Sequence, residues 1–266
     1  MGGCGMRRFS AWLLLVAILL CGLVPASAAD KIGVVLLHGK GGTAKPQSPI
    51  GPLIAKLQGS GILVDAPDMP WSRSRFLDKD YPGAMAEIDA AVARLKKRGA
   101  TKIVVGGQSI GANAALGYGA QREGLAGIIA LAPGHVPDLA GYQNSLKHDY
   151  RRAKAMVDKG EGEATTGFAD NNQGRVTQVR VKPRVYWSWY DPEGAAVMPL
   201  NAAKLKPRTP LLWAVGRGDT MASRGKAYAF DRAPANPKSL YLEVAGGHRD
   251  TPEIAASQVL NWLRAL

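Results

Sequence analysis

Three residues of this chain have the types and the order needed for covalent acyl chemistry: Ser109, Asp219 and His248. Ser109 lies in Gly107-Gln108-Ser109-Ile110-Gly111, after the apolar stretch Ile103-Val104-Val105 and before the helix-like Asn113-Ala114-Ala115-Leu116. A serine hydroxyl is a weak nucleophile until a base takes its proton. A G-x-S-x-G turn between strand and helix presents that hydroxyl, and the helix N-terminus behind it favours developing negative charge. His248, at the end of Gly246-Gly247-His248, is the candidate base. Asp219, at the end of Gly216-Arg217-Gly218-Asp219, is the candidate carboxylate that orients it. Asp191 is the competing acid, and Asp250 lies too close in sequence to His248 to orient it. The turn His38-Gly39-Lys40-Gly41-Gly42 suits presentation of backbone N–H groups, so the amides of Lys40 and Ile110 are the predicted oxyanion hole. Its spacing is not that of a phosphate loop, and His38 is expected to brace the turn. Trp71, in Pro70-Trp71-Ser72-Arg73, and Trp187, in the group Tyr186, Trp187, Trp189 and Tyr190, are candidate pocket walls; for the group as a whole, anchoring to the core is the competing reading.

These residues need a scaffold that holds turns level with one another. Short apolar runs rich in β-branched residues at 32–37, 62–64, 102–105, 127–131, 211–215 and 240–244 read as buried strands. Amphipathic stretches alternate with them, the pattern of a parallel sheet covered by helices on both faces. Met85, Ile88, Val92 and Leu95 share one helical face, with Lys96, Lys97 and Arg98 in the last turn and Gly99 as the stop. The last segment is predicted to be a helix with Thr251 as N-cap and Pro252 at its first position. Residues 137–207 break the rhythm, with 161–174 reading as a loop, and are expected to form a cap over the carboxyl ends of the strands.

Taken together, His38-Gly39, Gly107-Gln108-Ser109-Ile110-Gly111, Asp219 and His248 resemble the α/β-hydrolase superfamily, across essentially the whole chain after residue 29. The resemblance implies an α/β-hydrolase fold with a mostly parallel sheet, a cap before the acid strand, and an acyl-enzyme formed on Ser109 with Asp219 and His248. The HGGG turn of some lipases and esterases is absent, and Lys40 beside the oxyanion turn departs from the usual pattern. A carboxylic ester of a small or lipid-like molecule is the first substrate class by analogy, with amide, thioester and lactone open. An acyltransferase on the same residues and a binding protein with this fold are the alternatives. No cofactor or metal is expected, because no His, Cys and carboxylate cluster has ligand spacing.

The 266-residue chain begins with the three-part layout of a secretory signal: Arg7 and Arg8, an apolar run at 11–24, then Pro25 and Ala26-Ser27-Ala28-Ala29. The run is shorter than the roughly 20 residues that span a bilayer. Cleavage after Ala28 or Ala29 is predicted, with export to a periplasm or out of the cell, leaving one domain at 30–266. Both cysteines, Cys4 and Cys21, fall in the removed part, so no disulfide is expected. The formal net charge is +13, of which Arg7 and Arg8 carry two. Scattered bases such as Lys96-Lys97-Arg98 and Arg151-Arg152 read as a solvated basic surface, with attraction to an anionic surface as the functional alternative. Nucleic acid is not an expected partner, since no binding module or aromatic-basic interleaving is present. Nothing in the sequence specifies an oligomeric state.

Overall fold

The computed structural model describes residues 1–3 and 30–266; the apolar run and cleavage site of the predicted export signal, and both cysteines, lie outside the described residues. The chain runs β1 (Ile32–Leu37), α1 (Gly51–Gly59), β2 (Leu63–Asp65), α2 (Tyr81–Lys97), β3 (Lys102–Ser109), α3 (Ile110–Gln121) and β4 (Gly127–Pro133). It continues through α4 (Ala140–Asp158), β5 (Thr166–Asn172), β6 (Arg175–Val181), α5 (Pro183–Tyr190) and α6 (Met198–Ala203). It then returns to the main sheet with β7 (Leu211–Gly216) and β8 (Leu240–Val244), and ends in α7 (Thr251–Ile254) and α8 (Ala256–Arg264).

Six strands form one sheet in the order β2-β1-β3-β4-β7-β8, and every pairing in it is parallel. Side chains alternate between its faces, as the two-residue period of a strand requires. Val34, Leu36, Val104, Ile129 and Leu212 pack under α1 and α8. Val35, Leu37, Val105, Ile128 and Trp213 pack under α2 and α3. Both faces are therefore covered, and each predicted apolar run is a strand of this sheet. Strand order reverses between β1 and β3, because the chain first adds β2 on one side and then crosses to the other. Loops diverge at such a point and leave a crevice beyond the carboxyl ends of the strands. Leu37 pairs with Gly107, so the turns after β1 and β3 open side by side.

The predicted helix on Met85, Ile88, Val92 and Leu95 is α2; the Asp80 carboxylate caps it by accepting from the Gly83 amide at 2.9 Å. The carboxy-terminal helix differs from expectation at its start. Asp250 is the N-cap residue, and Thr251 is already helical. The cause is local: Thr251 Oγ1 turns back and donates to the Gly247 carbonyl at 2.8 Å, so it is not free to cap.

The segment between β4 and β7 holds the second sheet, and here the loop expected at 161–174 is corrected to a strand and turn. β5 and β6 pair antiparallel from Thr166 opposite Val181 to Asn172 opposite Arg175. Gln173 and Gly174 make the two-residue turn, both at positive φ (54° and 80°), the geometry of a type I′ hairpin. Helix α5 fixes this unit to the core with Val185, Tyr186, Trp189 and Tyr190 buried. Tyr186 stacks between Phe168 and Tyr190, with centroids 4.5 and 4.0 Å away. Trp189 meets Tyr81 and Trp71 edge-on at 4.7 and 5.5 Å.

Candidate active site

Ser109 is the last residue of β3 and stands immediately before α3, at φ 60° and ψ −122°. An L-residue holds a positive φ at a cost, so the conformation persists only because its surroundings impose it. The flanking glycines make the approach possible. A Cβ at Gly107 would come within 2.5 Å of the Gly111 backbone, and one at Gly111 within 2.6 Å of the Leu37 carbonyl. The sharp turn therefore packs directly on the end of β1, beside the Lys40 turn.

Asp219 and His248 stand on the loops after β7 and β8. These loops are tied together by backbone bonds from Arg217 to the Val244 carbonyl and from Gly218 to the Gly246 carbonyl, both 2.9 Å. The Asp219 side chain is out of solvent; Oδ2 faces His248 Nδ1 at 2.7 Å and Oδ1 accepts from the Met221 amide at 2.9 Å. A carboxylate held this way keeps the proton on Nδ1 and leaves the Nε2 lone pair pointing outward. Asp191 is not near this pair: its Oδ1 caps a turn by accepting from the Glu193 amide. Asp250 shapes the histidine loop by accepting from the Gly247 amide at 3.0 Å. Gln108 fastens the same loop to the serine turn by donating to the His248 carbonyl at 3.2 Å.

Ser109 and His248 flank Gly134, where a Cβ would lie 2.8 Å from Ser109 Oγ and 3.4 Å from His248 Cε1. His248 Nε2 accepts from Gln173 Nε2 at 3.2 Å, so the tip of the β5–β6 hairpin occupies the lone pair that would face Ser109. Of the two residues predicted for the oxyanion hole, Lys40 lies in the turn after β1 and Ile110 at the first position of α3, next to Ser109.

The Lys40 turn is braced by polar contacts within it and with the segment after β2. His38 Nδ1 donates to the Gly39 carbonyl at 2.8 Å, Nε2 accepts from the Met69 amide at 3.1 Å, and Trp71 Nε1 donates to the His38 carbonyl at 2.7 Å. Burial holds the His38 pKa below the ordinary histidine value, outweighing the nearby Asp68 carboxylate. His38 thus braces the turn as a neutral ring. The Lys40 ammonium points at the hairpin and pairs with Asp170 Oδ1 at 2.5 Å. Tyr190 donates to the same oxygen. Burial alone would raise the Asp170 carboxyl; the Lys40 charge and the two hydrogen bonds hold it below the usual range.

The two tryptophans read as pocket walls have other placements. Trp71 is 2% exposed and commits its indole N–H to the turn, lining only a neighbouring cleft. Trp187 is not among the residues that line the clefts at Ser109; the helical period of α5 aims positions 185, 186, 189 and 190 at the core, and the Trp187 ring is partly buried with the Lys154 ammonium over it. Residues that the sequence does not single out replace them. Two clefts open on Ser109. One, of about 640 Å³, is lined by the Lys40 turn, Lys45, Ser48, Arg73, Gln173, His248 and Arg249. The other, of about 250 Å³, is lined by Ile110, His135, Val136, Leu139, Tyr142 and Met221. Among the described residues no group of His, Cys, Asp and Glu is placed to hold a metal ion, and no helix is long and apolar enough to cross a membrane.

A doubly wound parallel sheet with a serine on a strained strand-to-helix turn, and an acid and a histidine on later strand ends, defines a class of protein. The chain belongs to the alpha/beta hydrolase family, whose model matches residues 34–259. No curated protein matches it in sequence. Solved structures share the fold. A monoacylglycerol lipase of Paleococcus ferrophilus is 21% identical, with a TM-score of 0.62, over 88% of this chain and 94% of that one. Est1E of Butyrivibrio proteoclasticus, solved with ferulic acid bound, is 16% identical, with a TM-score of 0.60, over 90% of each chain. A carboxyl esterase of Bacillus coagulans, solved with glycerol, is 13% identical, with a TM-score of 0.62, over 89% of this chain and 90% of that one.

Proposed function

We propose that the protein is a serine esterase in which Ser109 is the nucleophile, His248 the general base and Asp219 the residue that orients it. The observation that carries this reading is the strained Ser109 backbone, set at the strand-order reversal of the sheet and flanking Gly134 together with an Asp219-tethered His248. Similarity to lipases and esterases supports an ester as the substrate. His248 Nε2 takes the Ser109 proton as Oγ bonds to the acyl carbon, and the amides of Lys40 and Ile110 receive the oxyanion. The carbon–oxygen bond to the alcohol then breaks, and His248 returns the proton to the leaving oxygen. Water, deprotonated by the same histidine, then adds to the acyl carbon, the bond to Ser109 Oγ breaks as His248 returns the proton to Oγ, and the acid leaves. In this cycle the Gln173 amide leaves His248 before Ser109 is activated.

A panel of p-nitrophenyl esters of increasing acyl length tests the reading, run on the native protein and on Ser109→Ala. Turnover that vanishes in the variant, with fluorophosphonate labelling of Ser109, is the expected result. No turnover and no labelling would leave a binding protein with this fold. We also propose that residues 1–29 direct export and are removed after Ala28 or Ala29, on the strength of their basic, apolar and small-residue layout. The amino-terminal sequence of the protein recovered from its native compartment tests that.

A further inference from the structure

The two clefts at Ser109 differ in chemistry, and only one of them is lined by His248. His248 hands its proton to the departing alcohol, so the cleft it lines is the one that receives the leaving group, and the narrower cleft on the Ile110 side takes the acyl group. The leaving-group cleft has no carboxylate in its wall, and carries the side chains of Lys45, Arg73 and Arg249 besides Lys40. Lys40 is neutralised by Asp170. The other three take part in no salt bridge among the described residues. The first turn of α1, which follows Ile50 in the same wall, also has no acidic residue. The narrower cleft is also lined by Lys40 and Arg224, but Ile110, Val136, Leu139 and Met221 give it an apolar floor suited to a short acyl chain.

We propose that the substrate is a short acyl ester of an anionic alcohol, whose carboxylate, phosphate or sulfate is held by Arg73, Arg249 and Lys45 while the acyl group lies toward Ile110. This rests on the esterase reading and adds the charge and side of the leaving group. Arginine gives such a group a planar donor fork, although Lys45, Arg73 and Arg249 are all exposed at the cleft rim.

The test uses two butyrate esters that differ by one charge: that of 4-hydroxy-3-nitrobenzoate and that of its methyl ester, which release similar chromophores. The full-length protein is expected to hydrolyse the carboxylate form with a kcat/KM at least about tenfold higher at low salt, the ratio narrowing as salt is added. In Arg73→Gln/Arg249→Gln the ratio falls to near one. Arg208→Gln/Arg264→Gln, which removes the same charge at exposed positions that line none of the clefts at Ser109, keeps the ratio. A native ratio of one or below, with Ser109-dependent turnover of the methyl ester, overturns the proposal and leaves the esterase reading standing. Equal loss in both double variants also overturns it, by assigning the preference to the overall field of the molecule. If neither ester is hydrolysed, calorimetric titration of Ser109→Ala with free 4-hydroxy-3-nitrobenzoate and its methyl ester decides the cleft's preference without turnover: tighter binding of the anion, lost in the Arg73 and Arg249 variant, supports it, and equal binding ends it.

Discussion

Gly134 is a glycine for a reason specific to the site. It does not need a positive φ, yet a methyl group there would stand 2.8 Å from Ser109 Oγ and 3.4 Å from His248 Cε1. Gly134→Ala should therefore fold with a melting temperature within a few degrees of the native protein, while kcat/KM for p-nitrophenyl butyrate falls by roughly 10²-fold, the order expected for a displacement of reacting groups by an ångström. A variant as active as the native protein would mean that Ser109 and His248 do not work across this gap. Asp219→Asn probes the other side of the histidine. It preserves the shape of the buried side chain but can hold the imidazole in the wrong tautomer, a change that costs roughly 10⁴ in kcat in a serine protease. Loss of that order, with an unchanged circular dichroism spectrum, is the expected outcome. The placement of Ser109, Asp219 and His248 on turns at strand ends was legible in the sequence because each lies in a glycine-bearing motif at the end of an apolar run. Gly134 and Gln173 were not, because what distinguishes them is proximity across the fold.

The main-sheet strands and α2 could be read directly, since burial on both faces of the sheet leaves continuous apolar runs and burial on one face of a helix leaves a 3.6-residue stripe. The β5–β6 hairpin escaped that logic. Much of its second strand is exposed, so Arg175, Gln178 and Arg180 alternate with Val176 and Val179 without an apolar run, and its first strand ends in Asp170-Asn171-Asn172. The surviving signals were Gly174 and the β-branched content of Val176-Thr177. The hairpin matters because its tip sets the resting state of His248. Gln173→Asn puts a residue that tolerates positive φ before Gly174, yet its amide is one methylene too short to stay on His248 Nε2. Releasing one neutral hydrogen bond of about 1 kcal/mol should speed fluorophosphonate labelling of Ser109 about fivefold. An unchanged or slower rate would show that Gln173 does not compete with Ser109.

Two buried histidines tie the core to its surroundings and give the whole molecule an acid-sensitive stability. His135 Nε2 donates to the Trp189 carbonyl of α5 at 2.7 Å, and Nδ1 accepts from the Tyr142 hydroxyl of α4 at 3.1 Å, so the ring joins the end of β4 to two helices of the segment between β4 and β7. Burial, reinforced by the Lys40 charge, lowers its pKa to about 3, against the partial opposition of the Trp189 bond and Asp170. His38 is lowered too, mainly by burial. In the unfolded chain both titrate near the ordinary value of about 6.5. As the pH falls below that value the unfolded state takes up protons that the native state refuses, so stability is full above it and declines below it, at up to about 1.4 kcal/mol per pH unit for each ring. Asp170 adds nothing to this decline until its unfolded pKa is approached near 4, because its native pKa is depressed. Asp138, whose burial raises its carboxyl, acts in the opposite direction as it protonates. Urea unfolding should therefore give a flat free energy between pH 7 and 8 and a falling one from pH 6.5 to 4.5. His135→Asn, which suits the positive φ of 64° at this position, should start from a lower stability and show a shallower slope. The same slope in the variant would locate the acid lability outside the joint between β4 and these two helices, and a flat profile in the native protein would mean that neither ring is kept neutral by the fold.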